Sequence, residues 1–374
     1  MRTMILLLGF FALTIFGTRA DATGGHANDL HHGVNVLPAS ALHPFGRWML
    51  TGAGEVEMIG SAVHFGFQFS GTGCAVYVQL PAGGGHNYLQ YELDGVYQGS
   101  IRIEGGSRQP LVIKTGSAGV HTVWIYKMTE AMSGAIFIEK IAGQGLLALK
   151  RPEAPVIEFI GNSITCGALA DKSMMACGIG DYSDHHNGYY AYGPRVARAL
   201  KVNYLLSSVS GIGIYRTWNR DAPSMPQVYE HADLSDTGRR RWDFAQYRPV
   251  IVSIALGTND LSKGDGKTPR APFDSAKFVG DYVRFVRLVK TKYPAAQIAL
   301  LSSPMVRGAE REMLQHCLMA VKAAIDAQYP SGRTVATFFF EPMVPRGCGG
   351  HPSVEDHALL AAQLEPFFSR LLRE

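Results

Sequence analysis

The sequence predicts two domains, a β-sandwich or jelly-roll domain followed by an α/β domain whose parallel sheet is covered by helices. Apolar residues alternate with a period of two from about 41 to 148, in short segments separated by glycine-rich turns. From Pro155 onwards, strand-like apolar runs alternate with amphipathic helical patterns. Segment 150–153 interrupts both patterns. We therefore assign 41–150 to the β-sandwich domain and 155–374 to the α/β domain.

The N-terminal residues have the pattern of a secretory signal peptide over 1–22. Arg2 gives a basic start, 4–16 is almost wholly apolar, and 20–22 fits the small-x-small cleavage rule. The apolar run is too short to span a bilayer comfortably, so we expect a secreted or periplasmic protein without membrane insertion after cleavage. The polar residues 23–40 are interpreted as a flexible leader.

The first domain is predicted to consist of short antiparallel strands. Residues 62–69 alternate around three phenylalanines, and Asp94-Gly95 is a strong hairpin signal. Short strands at such even spacing are typical of an antiparallel sandwich or jelly roll. The predicted strands are 62–69, 74–80, 87–93, 111–113, 120–126 and 134–141.

The second domain is predicted to alternate strands with helices, which implies a parallel sheet. Asp274 can cap a helix whose apolar residues recur at spacings of three and four. The predicted strands are 156–160, 202–207, 249–256, 296–301 and 335–340, and the predicted helices are 187–200, the one after Asp274, 310–328 and 354–372.

Composition and charge exclude several classes of partner. The net charge is only +4, and the cationic residues are spread along the chain except at 239–241, which we interpret as a solvated loop. We therefore expect no nucleic-acid partner. The histidines and cysteines lack the spacing of zinc ligands, so no metal and no cofactor is predicted.

Five cysteines permit at most two internal disulfides, which an exported protein could form. Cys74 lies in a predicted strand and is interpreted as a buried thiol. The candidate pairs are Cys166 with Cys177 and Cys317 with Cys348.

Ser163 is the first candidate for chemistry. It follows the buried strand 156–160 and the turn formers Gly161 and Asn162. A serine at that turn can direct its hydroxyl to the carboxyl end of the strand, where open α/β sheets keep their sites. An ordinary strand-to-loop junction is the alternative interpretation of this segment alone.

Three later stretches supply the partners that a serine nucleophile needs. Gly211 and Asn259 each follow a predicted strand, and His351 precedes the last helix. A base must take the proton of the serine, and hydrogen-bond donors must stabilise the oxyanion. Asp260 is interpreted as a residue that holds the turn, and His357, inside the last helix, as structural.

These segments resemble the four blocks of the SGNH, or GDSL-type, hydrolases over about 155–372. The blocks are 161–164 (GNSI), Gly211, 257–260 (GTND) and 351–352 (HP). Asn162 stands where the first block usually has Asp. The resemblance implies a three-layer α/β/α domain in which Ser163 is the nucleophile and His351 the base. It also implies an oxyanion hole formed by Ser163, Gly211 and Asn259.

A narrower resemblance, to carbohydrate esterase family 2, implies the substrate class. The motifs are 121–130 (HTVWIYKMTE), 213–216 (GIYR), 225–226 (MP) and 347–348 (GC), together with a β-rich domain before the hydrolase domain. Enzymes of that family remove O-acetyl groups from plant polysaccharides such as xylan and glucomannan. The implied partner is therefore an acetylated polysaccharide or oligosaccharide.

Many relatives place an Asp two or three residues before the histidine, where this chain has Gly349 and Cys348. A carboxylate would fix the tautomer of His351, so we expect a main-chain carbonyl near Gly349 or Gly350 to do so instead. Asp356 and Glu355 follow the histidine and are not expected to be its partners.

Two other functions remain open at this point. A lipase or general esterase of the same fold would need an apolar groove for a long acyl chain. A non-catalytic glycan-binding protein would use the β domain beside a decayed hydrolase domain, and the presence of all four site residues opposes it.

Overall fold

The computed structural model describes residues 35–81, 83–107 and 110–374. The predicted signal peptide and the first part of the predicted leader lie outside the described residues. No helix within the described residues combines the length and the apolar character needed to cross a membrane.

The first domain is an antiparallel sheet that, among the described residues, contains nine strands and encloses one apolar core. Alternate residues of a strand point to opposite faces, and Phe65, Phe67 and Phe69 accordingly all point into that core. The strands are β1 (Asn35–Pro38), β2 (Trp48–Leu50), β3 (Val56–Met58), β4 (His64–Gln79), β5 (His86–Leu93), β6 (Val96–Glu104), β7 (Leu111–Lys114), β8 (Val120–Lys127) and β9 (Ile136–Leu149). The predicted antiparallel domain is confirmed.

Two sequence predictions in this domain are wrong. The leader predicted over 23–40 does not extend to its end, because its residues 35–38 form β1, which pairs antiparallel with β9. The predicted strands 62–69 and 74–80 are one long strand, β4, which changes register against β9 between Ser70 and Ala75. The glycines and serine at this point look like a turn but form an irregularity within the strand.

The second domain is built on a parallel sheet with the order β11-β10-β12-β13-β14 among the described residues. Apolar clusters on both faces pack against helices, α4 and α5 on one side and α2 and α6 on the other. The strands are β10 (Val156–Gly161), β11 (Asn203–Ser208), β12 (Ile251–Ala255), β13 (Gln297–Leu301) and β14 (Ala336–Phe338). The helices are α1 (Ser163–Cys166), α2 (Tyr192–Leu200), α3 (Met225–Val228), α4 (Ser275–Lys292), α5 (Gly308–Gln328) and α6 (Val354–Leu371). The predicted parallel-sheet α/β domain is confirmed.

Helix α4 begins as its cap predicts, and α2 begins later than expected. The carboxylate of Asp274 accepts a hydrogen bond from the N–H of Lys277 at 2.9 Å. In contrast, Asn187 lies in the loop before α2, where its N–H donates to the carbonyl of Gly167 at 2.7 Å. Its side chain accepts from the N–H of Tyr190 at 3.0 Å. The first five residues of the predicted helix, 187–191, therefore belong to the loop before α2.

The disulfide joins Cys177 to Cys348, so both predicted pairings are wrong. The two cysteines are 171 residues apart in the chain, in loops that meet only in the folded domain. Cys74, Cys166 and Cys317 are buried thiols.

Candidate active site

Ser163 occupies the turn from β10 into the short helix α1. The side chain of Asn162 caps this helix by accepting from the N–H of Ile164 at 3.0 Å. Gly161 is required because a Cβ there would collide with Thr165. The sharp turn holds the Ser163 hydroxyl at the carboxyl end of the sheet, where the serine is only 7% exposed.

His351 lies in the loop before α6, as predicted, and its ring faces Ser163. The ring Nε2 is 3.0 Å from the hydroxyl oxygen of Ser163, and Nδ1 is 3.2 Å from the carbonyl oxygen of Gly349. A carbonyl can only accept, so Nδ1 carries the proton and donates to Gly349. Nε2 of the neutral ring is then free to accept the proton of Ser163.

The neutral ring is also the form that the surroundings favour. Burial lowers the pKa of His351, and the hydrogen bond to the carbonyl of Gly349 opposes this effect without cancelling it. The pKa therefore lies below the ordinary value for histidine. A neutral imidazole at neutral pH is what a general base requires.

The acidic side chains after His351 are engaged elsewhere, as the sequence indicated. Asp356 accepts from the N–H of Arg346 at 2.7 Å and from that of Ser353 at 3.0 Å. Glu355 accepts from the hydroxyl of Ser353 at 2.6 Å. His357 is fully buried in α6, with its ring parallel to that of Tyr192.

Gly211 and Asn259 are brought to the same cavity as Ser163 and His351. One amide hydrogen of Asn259 donates to the carbonyl of Ile212 at 2.8 Å, which fixes the side chain. An asparagine amide has two donors, so the second remains for a ligand. Gly211 has a φ of 75°, a conformation that favours glycine.

Asp260 holds the backbone rather than facing the cavity. Its buried carboxylate accepts from the N–H groups of Ile214 and Tyr215 at 3.0 Å. Burial raises the pKa of Asp260 to about 6, against the lowering effect of these hydrogen bonds. The predicted structural role matches these contacts.

The cavity has a volume of about 540 Å³, and its wall includes large side chains to which the sequence did not point. Met132 is contributed by the β domain, and Tyr182 and Trp218 come from loops of the α/β domain. All three are partly exposed, at 68%, 45% and 45%. The sequence carries no signal for them, because only the folded loops bring them to the cavity.

Among the residues that the structure describes, two other regions stand out, and neither has this combination of groups. A groove of about 780 Å³ beside α4 contains neither Ser163 nor His351. His86, Asp181 and Asp184 lie close enough together to bind a metal. However, the Asp184 carboxylate already contacts the His86 ring and accepts from the hydroxyl of Tyr88 at 3.0 Å and the N–H of Asp181 at 2.8 Å. These contacts account for the cluster without a metal.

Two family models match the chain. The carbohydrate esterase 2 N-terminal model matches residues 45–152, which cover most of the antiparallel domain. The model of the GDSL-like lipase/acylhydrolase family matches residues 159–363, more than half of the chain.

Individual relatives resemble the chain over most of its length. An acetylxylan esterase / glucomannan deacetylase from Cellvibrio japonicus is 26% identical over 308 residues, 80% of this chain and 81% of the relative. A family two carbohydrate esterase structure from the same organism has a TM-score of 0.77 at 23% identity, covering 91% of this chain and 98% of that one. A family two carbohydrate esterase from Clostridium thermocellum, solved in complex with cellohexaose, has a TM-score of 0.74 at 26% identity, covering 90% and 99%.

Proposed function

The chain belongs to the GDSL-like lipase/acylhydrolase family, and from this premise we propose that it is an exported esterase that removes acetyl groups from plant polysaccharides such as xylan or glucomannan. As a member of this family it is a carboxylic ester hydrolase. The observation that carries the proposal is the 3.0 Å approach of His351 Nε2 to Ser163 Oγ in a cavity shared with Gly211 and Asn259.

The proposed mechanism begins when the oxygen of Ser163 attacks the acetyl carbonyl while Nε2 of His351 takes the hydroxyl proton. The carbonyl oxygen becomes an oxyanion, which accepts hydrogen bonds from the N–H groups of Ser163 and Gly211 and from the amide of Asn259. When this tetrahedral intermediate collapses, the bond between the acetyl carbon and the sugar oxygen breaks. The sugar leaves as an alcohol with the proton from His351. Water, deprotonated by His351, then hydrolyses the acetyl-enzyme and releases acetate.

The wall of the cavity presents an aromatic ring and several polar side chains to a substrate. A second cavity of about 260 Å³ adjoins the first, with Met132, Ser210, Gly211 and Trp218 in the wall of both. The partly exposed ring of Trp218 thus lies along a groove that extends away from Ser163. The lining also includes the polar side chains of Tyr182, Ser210, Thr258, Asn259 and Ser262, which can hydrogen-bond to sugar hydroxyls, beside the apolar Met132, Ile164 and Met305.

The test is release of acetate from acetylated xylan and acetylated glucomannan, with Ser163→Ala as the inactive control. We expect deacetylation of at least one polymer and a kcat/KM for 4-nitrophenyl acetate at least about a hundredfold above that for the octanoate ester. Faster turnover of the octanoate ester would favour a lipase. Binding of the polymers without any turnover would favour a glycan-binding protein.

Export is proposed from the sequence pattern over 1–22, together with the disulfide, which oxidising compartments favour. Expression of the full chain in a bacterial host, followed by mass measurement of the periplasmic or secreted product, tests it. We expect the mature protein to begin near residue 23, whereas retention of an uncleaved cytoplasmic chain would contradict export.

A further inference from the structure

Glu130 is a buried carboxylate of the β domain that reaches the loop containing Gly211. It follows β8 and is fully buried. Its Oε2 accepts from the N–H of Ser210 at 2.7 Å, and Ser210 directly precedes Gly211. Lys127 holds the backbone at this point by donating to the carbonyl of Glu130 at 2.7 Å. A side chain outside the hydrolase domain therefore fixes the peptide next to the proposed oxyanion donor.

The contact is part of a closed ring of hydrogen bonds. Nε2 of the fully buried His186 lies 3.2 Å from the other carboxylate oxygen of Glu130, and its Nδ1 lies 3.1 Å from the carbonyl of Tyr182. The hydroxyl of Tyr182 donates to that of Ser210 at 2.9 Å. Each member of the ring is thus held by two others.

Hydrogen bonds on both sides of Gly211 fix the orientation of its peptide N–H. The N–H of Val209 donates to the carbonyl of Gly161 at 3.2 Å, and that of Ser210 is taken by Glu130. The carbonyl of Gly211 accepts from the N–H of Trp218 at 2.8 Å. Within the described part of the chain, the Gly211 N–H itself has no protein acceptor.

The carboxylate is held in its ionised form. Burial alone would raise the pKa of Glu130, but the ring of His186 and the N–H of Ser210 together lower it by more. The pKa therefore lies below the ordinary value for glutamate. A buried carboxylate persists only when its oxygens are well partnered, which these contacts provide.

We propose that Glu130 is a positioning residue for the oxyanion hole, which it preorganises by fixing the peptide that precedes Gly211. The inference rests on the proposed function, since it assumes that the Gly211 N–H stabilises the oxyanion of an ester. Glu130 has no hydrogen bond to Ser163 or His351; it positions the oxyanion hole through Ser210, and its charge also raises the pKa of His351.

The first test compares Glu130→Ala with Glu130→Gln in the full mature chain, using 4-nitrophenyl acetate. The alanine removes the acceptor of Ser210, so we expect kcat to fall at least tenfold with KM changed less than about twofold. The glutamine amide keeps an acceptor oxygen for Ser210 and presents its NH2 group to the His186 ring, so we expect kcat within about threefold of wild type. Equal losses in both variants would refute positioning by this hydrogen bond.

The second test measures the oxyanion hole directly with methylboronic acid, whose boron forms a tetrahedral adduct with a serine oxygen. We expect Glu130→Ala to weaken its inhibition constant by about the same factor as it lowers kcat. Asn259→Ala is the benchmark, because loss of one oxyanion donor lowers kcat by about a hundredfold or more. Unchanged inhibition of Glu130→Ala would mean that the lost activity reflects structure alone.

The matched control is Glu57→Gln, since Glu57 also links the β domain to the α/β domain by accepting from Arg240 at 2.8 Å. It has no contact with the loop at Ser210, so we expect unchanged kcat. If Glu130→Ala fails to fold, Glu130→Asp shortens the same side chain and should also lower kcat. Full kcat in a folded Glu130→Ala or Glu130→Asp overturns the inference, whereas an inactive wild-type enzyme overturns the proposed function.

Discussion

At the scale of single residues, His351 is oriented by a backbone carbonyl because the residues before it have no side-chain acceptor. Cys348 and Gly349 have no side-chain acceptor for an imidazole N–H, and the structure accordingly uses the carbonyl of Gly349. The sequence could predict this contact because it is local, two residues before the histidine. The roles of Tyr182 and Trp218 could not be predicted, because only the folded loops bring them to the cavity.

A catalytic dyad predicts which variants keep their activity. We expect His351→Ala to lower kcat by about a thousandfold or more, because the base is lost. Glu355→Gln should retain kcat within about threefold. Asp356→Asn should do the same but lower the melting temperature, since Asp356 is buried and accepts from Arg346. Kinetics with 4-nitrophenyl acetate and thermal melts check this, and a thousandfold loss in folded Asp356→Asn would indicate a third triad member.

The pKa of His351 predicts the pH profile of kcat/KM. Burial lowers this pKa from its ordinary value, so the base stays neutral, and the enzyme active, at more acidic pH. We expect the acidic limb to have its midpoint below about 6.5, the ordinary value for histidine. His357→Phe is the control, because that ring lies outside the cavity and should leave the midpoint unchanged. A wild-type midpoint above 6.5 would contradict the prediction.

At the scale of secondary structure, the strands of the α/β domain are the part that the sequence predicts best. Buried parallel strands are continuous apolar runs, and β10, β11, β12 and β13 each lie within two residues of their predicted bounds. The strand β1 was missed because it has only four residues, too few for such a run. Its stability comes from pairing with β9, a contact over a hundred residues away in the chain.

The loop that carries His351 is tied to the segment after Ser163 in two ways. The disulfide joins Cys348 to Cys177, and the N–H of Cys348 donates to the carbonyl of Leu169 at 2.8 Å. Both contacts anchor the chain one residue before Gly349. The base is thus held relative to the nucleophile by a covalent bond that the spacing of cysteines does not reveal.

Removal of this disulfide is expected to lower both stability and activity. For a closed loop of 171 residues, the chain-entropy estimate of the loss in free energy of unfolding is at most about 5 kcal/mol. We expect the double variant Cys177→Ser, Cys348→Ser to unfold at lower urea and to lose kcat several-fold. Wild-type enzyme reduced with a phosphine should behave in the same way. Unchanged urea midpoints in both would contradict this account.

At the scale of the whole molecule, the two domains share a buried polar interface. Arg47 of the β domain is fully buried, and its guanidinium donates to the carbonyls of Tyr229 and His231 and to the hydroxyl of Ser207, at 2.8 to 2.9 Å. The same Ser207 hydroxyl donates to the buried carboxylate of Glu158 at 2.5 Å. Burial lowers the pKa of Arg47, and the nearby carboxylate of Glu158 opposes this effect.

This interface predicts that the domains unfold together. Separation of the domains would break the three hydrogen bonds of Arg47 and move its charge away from the Glu158 carboxylate, so we expect the two domains to unfold together. We expect a single calorimetric transition whose van't Hoff and calorimetric enthalpies agree. Arg47→Met should lower the free energy of unfolding by about 3 kcal/mol or more, because it leaves the buried carboxyl group of Glu158 without its nearby cation. The exposed Arg239→Met is the control and should change little.

Urea denaturation followed by far-ultraviolet circular dichroism and by tryptophan fluorescence checks the same prediction, since tryptophans occur in both domains. Coincident curves are expected for the wild type. If the wild-type curves separate, or if Arg47→Met and Arg239→Met lose equally little stability, the domains are independent folding units. In that case the β domain would not hold Glu130 rigidly against Ser210, and the proposed positioning of the oxyanion hole would lose its basis.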